Sequence, residues 1–160
     1  MTDYPKANNC ADFVLFCAPN DDGSWETTSG PQVLLIQRRS GDWAVPGGYM
    51  NVDEKLIKTA VREFYEETGI DLNSLNLIMP GLVYVGLYDD PKRDPRGRNI
   101  SNAWAAAIDY GQYKNLVIKP IDSEEIHNWG WFDYSHLPDN MAFDHLDIIR
   151  DAYGKLFGGN

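Results

Sequence analysis

Between Gly48 and Ile70 the chain reads GYMNVDEKLIKTAVREFYEETGI, and no other stretch limits the fold as closely. Good helix formers follow Asp53, a residue type that caps a first turn, and Gly69 is the type that closes a helix in the left-handed conformation, so the spacing predicts a helix over Asp53 to Thr68. Ile57, Ala60, Val61 and Phe64 then share one face and should pack on a core. Glu63, Glu66 and Glu67 fall at i, i+3 and i+4 on a neighbouring face. Three carboxylates in the last turns repel one another, and the helix dipole disfavours each by about 0.3–1 kcal/mol. Something positive should therefore lie nearby. Arg62 reaches Glu66 at i+4 but cannot neutralise three acids. A hard divalent cation such as Mg²⁺ or Mn²⁺ would do so, because it favours carboxylate oxygens. A solvated acidic face is the other reading that the spacing leaves open.

The strands are legible from apolar runs. DFVLFCA at 12–18 is short enough for a buried strand, and QVLLIQRR at 32–39 reads as its returning partner. The turn formers of 19–31 make a hairpin loop between them, and its Asp21, Asp22 and Glu26 lack calcium-loop spacing. Leu82 to Tyr88, Asn99 to Ile108 and Ile126 to Phe132 are further strands, with 109–120 a connection. Asp144 to Phe157 closes the chain as an amphipathic helix with Leu146, Ile149, Ala152 and Tyr153 inward. Strands around an acid-bearing helix, then more strands and a last helix, predict an α/β sandwich: one domain over 1–160, with a mixed sheet between helices.

Outside the helix, the sequence marks several residues that could meet a ligand. Arg38 and Arg39 end a strand and either face phosphate or are exposed charges. Pro46-Gly47-Gly48 lets backbone approach a ligand closely, so that a carbonyl there can serve as a metal oxygen ligand; it also suits a tight strand-to-helix turn. Lys92, Arg93, Arg96 and Arg98 put four bases into seven residues of a chain whose net charge is −10. They either aim guanidiniums at phosphate or pair with Asp89, Asp90 and Asp94. Trp129, Trp131 and Phe132 alternate on a strand, where core packing competes with stacking on a base. Histidine is the residue type that titrates near neutrality, which makes His145 a candidate catalytic base, but a capping or packing role for Asp144 and His145 is the stronger reading.

The acidity argues against broad contact with a nucleic-acid backbone, which relies on bases neutralising phosphates. No run approaches the roughly 18–20 apolar residues of a membrane helix, and the first residues lack a signal-peptide layout, so a cytoplasmic location is expected. Cys10 and Cys17 have no partner at metal spacing and read as reduced thiols.

Gly48, Glu54 and the run from Arg62 to Ile70 together resemble the Nudix box, the signature of the Nudix hydrolases, over 23 of the 160 residues. Phe64 stands where an aliphatic residue is more usual. The resemblance implies the Nudix α/β/α fold. It also implies Mg²⁺ (Mn²⁺ as a substitute) held by Glu63, Glu66, Glu67 and the Gly47 carbonyl, with Arg62 orienting a glutamate and water attacking a phosphorus. An acid outside the box helps in this family; Glu67 or an outside acid such as Glu124 would take the proton. The stretch 93–98 and the run Ala142 to His145 are similar to ADP-ribose-type Nudix domains, which makes a nucleoside diphosphate, ADP-ribose first, the expected small-molecule partner. Arg38, Arg39, Arg93, Arg96, Arg98 and Trp131 are its candidate contacts. Tyr88 keeps dinucleoside polyphosphates open, as are nucleoside triphosphates and NADH. A non-catalytic ADP-ribose sensor is the reading from another class, although no segment resembles the DNA-binding helix-turn-helix that such a regulator would need. ADP-ribose enzymes of the family are often homodimers.

Overall fold

The longest ladder in the molecule joins β1 (Asn8–Cys17) to β6 (Asn99–Ile108), parallel and in register over ten pairs from Asn8–Asn99 to Cys17–Ile108. A computed structural model describes residues 3–18, 30–121 and 124–158. Around the ladder run β2 (Gln32–Arg38), β3 (Trp43–Ala44), β4 (Gly47–Tyr49), β5 (Val83–Tyr88) and β7 (Ile126–Asp133). They form one mixed seven-stranded sheet in the order β3-β2-β1-β6-β5, with β4 added to β1 and β7 to β2. The mixed sheet expected from the sequence is present. The hairpin loop expected at 19–31, with Asp21, Asp22 and Glu26, lies outside the described residues over 19–29, as does Asp122.

The unbroken apolar run of β1 reflects burial on both faces, since alternate side chains point to opposite sides. Phe13 and Leu15 pack beneath α1 (Leu56–Thr68) with Leu34, Ala60, Phe64 and Ile108. Val14 and Phe16 pack beneath α3 (His145–Phe157) with Val33, Leu35, Ile148, Ile149 and Ala152. Phe64 and Phe13 meet edge to face at 5.3 Å. Phe64→Ala is expected to cost about 3–5 kcal/mol, seen as a lower denaturant midpoint, because both rings are fully enclosed and the cavity cannot collapse.

Several details differ from the sequence expectation: β1 begins at Asn8, four residues before Asp12, and Ile148 rather than Leu146 joins the core. Helix α1 starts at Leu56, not Asp53. Glu54 accepts hydrogen bonds from the Asn51 amide and the Thr59 hydroxyl, which folds 51–55 into a turn, and the extended Lys55 takes the cap position without a side-chain bond. Leu56 packs against the core where Ile57 was expected. A short α2 (Tyr110–Asn115) occupies the supposed connection, capped by the Asp109 carboxylate, which accepts from the Gln112 amide. The helix end is as expected: Gly69 has φ +75, and its N–H donates to the Tyr65 carbonyl at 2.7 Å. Cys10 and Cys17 are free and buried, and burial pushes their pKa values up to about 11 and about 12. No helix among the described residues is long and apolar enough to cross a membrane.

Candidate active site

Arg62 organises the acid face of α1. Its Nε and Nη2 donate to Glu54, the shortest contact being 2.7 Å, Nη2 also donates to the Tyr49 carbonyl at 2.9 Å, and Nη1 reaches Glu63 at 2.8 Å and Glu66 at 3.3 Å. These bonds hold Glu54 well ionised, with its pKa lowered to about 2, and raise that of Arg62. Glu63 keeps a raised pKa, because burial outweighs its bond to Arg62. Glu67 lies apart from this network. It is buried, it pairs with no cation among the described residues, and its Oε1 accepts from the Gly47 amide at 3.3 Å. Burial, then the charge of Glu63, pushes its pKa well above 4.5.

The glycine turn fits because it has no side chains. A Cβ at Gly48 would stand 2.5 Å from the Glu63 carboxyl carbon, and one at Gly47 would fall 2.1 Å from an Asp12 oxygen. β4 is paired to β1 there, Gly47 opposite Asp12. Asp12 is itself buried and accepts a short hydrogen bond from the Ser101 hydroxyl. The His145 Nε2 lies 3.7 Å from its other oxygen. Burial lowers the His145 pKa, which suits an imidazole whose Nδ1 accepts from the Val45 amide at 3.1 Å.

Arginines line the same space. Arg93 is almost fully buried and donates in bidentate fashion to Asp144 at 2.8 and 2.7 Å, and also to the Asn99 carbonyl. Arg96 pairs with Asp94 at 2.8 Å while remaining half-exposed. Burial alone would raise the Asp94 pKa, but its bonds from Arg96 and Asn99 hold it far below the usual carboxylate range. Arg38 bonds Asp42 at 2.9 Å, and the Arg38 and Arg96 guanidiniums lie 4.7 and 4.6 Å from the centre of the Phe143 ring. The loop carrying Glu124 and Glu125 is anchored to the end of α1: the Ile121 amide donates to the Glu66 carbonyl and the Lys119 amide to the Thr68 carbonyl, each at 2.8 Å.

Together these walls enclose a cavity of about 560 Å³, within the ~300–1,000 Å³ of small-molecule pockets. Of the residues singled out in the sequence, Gly47, Glu63, Glu67, Glu124, Arg38, Arg39, Arg93 and Arg96 line it. Glu66 and Arg62 stand beside it, joined to Glu63. Two substrate candidates are placed elsewhere. Arg98 does not line the cavity; its Nη1 donates to the Asp89 carbonyl at 2.8 Å. Trp131 packs edge to face on Tyr113 beneath the α1 side of the sheet, because its strand position points it into that layer. Arg93 lines the cavity with its guanidinium already committed to Asp144. Asp144 and His145 do not cap α3 through their side chains. Asp12 was missed as a site residue, although a lone carboxylate opening a fully apolar strand run was its sign.

The domain model described as NUDIX domain matches residues 22–152. This chain belongs to the Nudix family. It is 31% identical over 161 aligned positions to the ADPR responsive transcriptional repressor NtrR of Acinetobacter baylyi, covering 97% of this chain and 56% of that one. It is 35% identical over 124 positions to the ADP-ribose pyrophosphatase of Methanocaldococcus jannaschii, covering 75% of this chain and 64% of that one. The chain thus spans little more than half to under two thirds of these relatives. Among solved structures, the NUDIX domain of Shewanella oneidensis NrtR complexed with ADP ribose superposes with a TM-score of 0.72 at 23% identity, over 96% of this chain and 90% of that one, a likeness of fold. A MutT/nudix family protein from Enterococcus faecalis gives 0.75 at 25% identity, over 99% and 65%.

The Nudix family implies a divalent metal, and the donors here suit one: hard carboxylate oxygens, those of Glu67 buried without a cation among the described residues. Among the described residues no group of three or more Asp, Glu, His or Cys is already gathered as a metal site. Glu63 and Glu66 are instead drawn to Arg62.

Proposed function

We propose that the chain hydrolyses the pyrophosphate bond of a nucleoside diphosphate linked to another group, with ADP-ribose as first substrate. The observation that carries this reading is Glu67, a buried carboxylate of raised proton affinity against the Gly47 turn, in a cavity that Arg38, Arg39 and Arg96 also line. Glu63, Glu66, Glu67 and the Gly47 carbonyl would hold Mg²⁺, or Mn²⁺ in its place. Bound there, the metal supplies a Lewis acid that lowers the pKa of water and offsets charge on the phosphate oxygens. Arg62 keeps Glu63 and Glu66 oriented. Arg38 and Arg96, steadied by Phe143, face the phosphates. Glu67 takes the proton from the attacking water; Glu124, which also lines the cavity, is the alternative acceptor. A new P–O bond forms to water and the bridging P–O bond breaks, leaving AMP and ribose 5-phosphate.

Similarity to the repressor over 97% of the chain favours a second reading, in which the cavity binds ADP-ribose without cleaving it. Incubation with ADP-ribose and a nucleotide panel, with Mg²⁺ and with a chelator, followed by product masses, separates the two. AMP and ribose 5-phosphate appearing only with metal are expected. Micromolar ADP-ribose binding without turnover of any nucleotide would leave the sensor.

A further inference from the structure

The inner course of the cavity wall depends on a ladder that a side chain completes. Trp43 of β3 forms a parallel bridge with Met141, in which the Trp43 amide donates to the Asn140 carbonyl at 3.0 Å and the Ala142 amide to the Trp43 carbonyl at 2.7 Å. A parallel ladder would continue with the Val45 amide donating to the Ala142 carbonyl. Instead the chain turns at Phe143, whose φ is +51, and the Ala142 carbonyl accepts from the His145 amide at 3.0 Å. The Val45 amide donates to His145 Nδ1 at 3.1 Å. The imidazole thus stands where the next strand carbonyl would be, with both partners buried.

That grip is close to the chemistry. Pro46 follows Val45 and accepts from the Phe13 amide at 2.9 Å, and Gly47 comes next with its bond to Glu67. One residue before His145, the Asp144 carboxylate holds Arg93 and, through it, the loop 89–98. Consecutive residues at the start of α3 therefore hold two segments that line one cavity. A rigid helix end sets the relative placing of the two segments better than two independent loops could.

We propose that His145 and Asp144 are positioning residues for this site, His145 acting through Val45 on the Gly47 turn and Asp144 acting through Arg93 on the arginine loop. The kinetic part of the test rests on the hydrolase reading; the structural part does not. His145→Asn puts a carbonyl oxygen at the same number of bonds from Cα as Nδ1, whereas His145→Leu offers no acceptor. Hydrogen–deuterium exchange of the whole chain, without ligand, is expected to speed up by about tenfold or more over 43–48 in His145→Leu and to stay within about threefold of wild type in His145→Asn. Asp144→Ala should loosen 89–98 and leave 43–48 protected. With ADP-ribose and Mg²⁺, His145→Leu should lower kcat by about tenfold or more at similar KM, and Asp144→Ala should raise KM by about tenfold at similar kcat.

Equal exchange over 43–48 in the Asn and Leu variants overturns the role of His145, and loosening of both segments by Asp144→Ala overturns the division of labour. If His145→Leu does not fold, His145→Asn decides: wild-type protection over 43–48 supports the assignment, and its loss overturns it. A wild-type chain with no turnover defeats the hydrolase reading while the exchange results still stand or fall by themselves.

Discussion

Glu67→Gln is expected to lower kcat for ADP-ribose by about two to four orders of magnitude, the span typical of losing a general base, while raising thermal stability at neutral pH in the absence of divalent metal. Both effects come from one cause. The amide keeps an oxygen for the Gly47 N–H, so the turn stays in place, but it cannot take a proton or carry charge. In the folded chain the Glu67 pKa lies well above 4.5, because burial disfavours the carboxylate and Glu63 repels it. Below pH 4.5 the carboxyl is protonated whether the chain is folded or not, and it has no effect on stability. As pH rises past 4.5 the unfolded chain ionises first, so the folded state loses stability until the folded pKa is reached. The gain from Glu67→Gln should therefore be full above that pKa and vanish below pH 4.5. Melting curves at pH 4 and pH 7.5, with turnover measured at the latter, check this. Wild-type turnover together with an unchanged melting temperature at both pH values would remove Glu67 from the centre of the site.

Gly47→Ala is expected to cost about 3 kcal/mol or more of stability and most of the activity, because overpacking with no route to relax lies at the upper end of its usual range. The added methyl would stand 2.1 Å from an Asp12 carboxylate oxygen and 2.5 Å from the Ala11 carbonyl, and both belong to the buried central strand. β4 would have to leave β1, taking the Gly47 amide away from Glu67. Gly154→Ala provides the contrast. That glycine lies within α3 with nothing inside 4 Å of the added methyl, so the change should stabilise by about 0.5–1 kcal/mol. Denaturant midpoints of the two variants, measured together, should move in opposite directions. A Gly47→Ala variant as stable as wild type would mean that the turn is looser than its contacts imply.

How far these features could be read in advance depends on whether their causes are local. The helix through Thr68, its glycine stop and the apolar strands follow from periodicity and propensity, and they were legible. So was the placing of Glu63 and Glu67 toward one face. The start of α1 was misplaced because Glu54 gathers Asn51, Thr59 and Arg62, a convergence that no capping rule anticipates. α2 was missed because Tyr-Gly-Gln-Tyr-Lys-Asn has no apolar period, though Asp109 was its cap. The partner of Arg93 is 51 residues away at Asp144, so nearby aspartates looked like sufficient counter-charges. Trp131 shows the reverse limit: an aromatic on a strand could be assigned to either layer until the register with Leu34 put it beside Tyr113.

The parallel pairing of β1 with β6 also governs the order in which the molecule can assemble. Asn8 waits for Asn99, and Cys17 for Ile108, across a separation of 91 residues, so a central edge of the sheet stays open until most of the chain has been made. Loop closure of that length must be met before the contacts that reward it, which makes this step slow by comparison with the hairpin of β1 and β2. A ribosome-bound chain that has not yet exposed Ile108 carries a strand of mostly apolar residues with one edge unpaired. The ladder that gives the finished sheet its rigidity thus makes the nascent chain most prone to aggregate just before synthesis reaches β6.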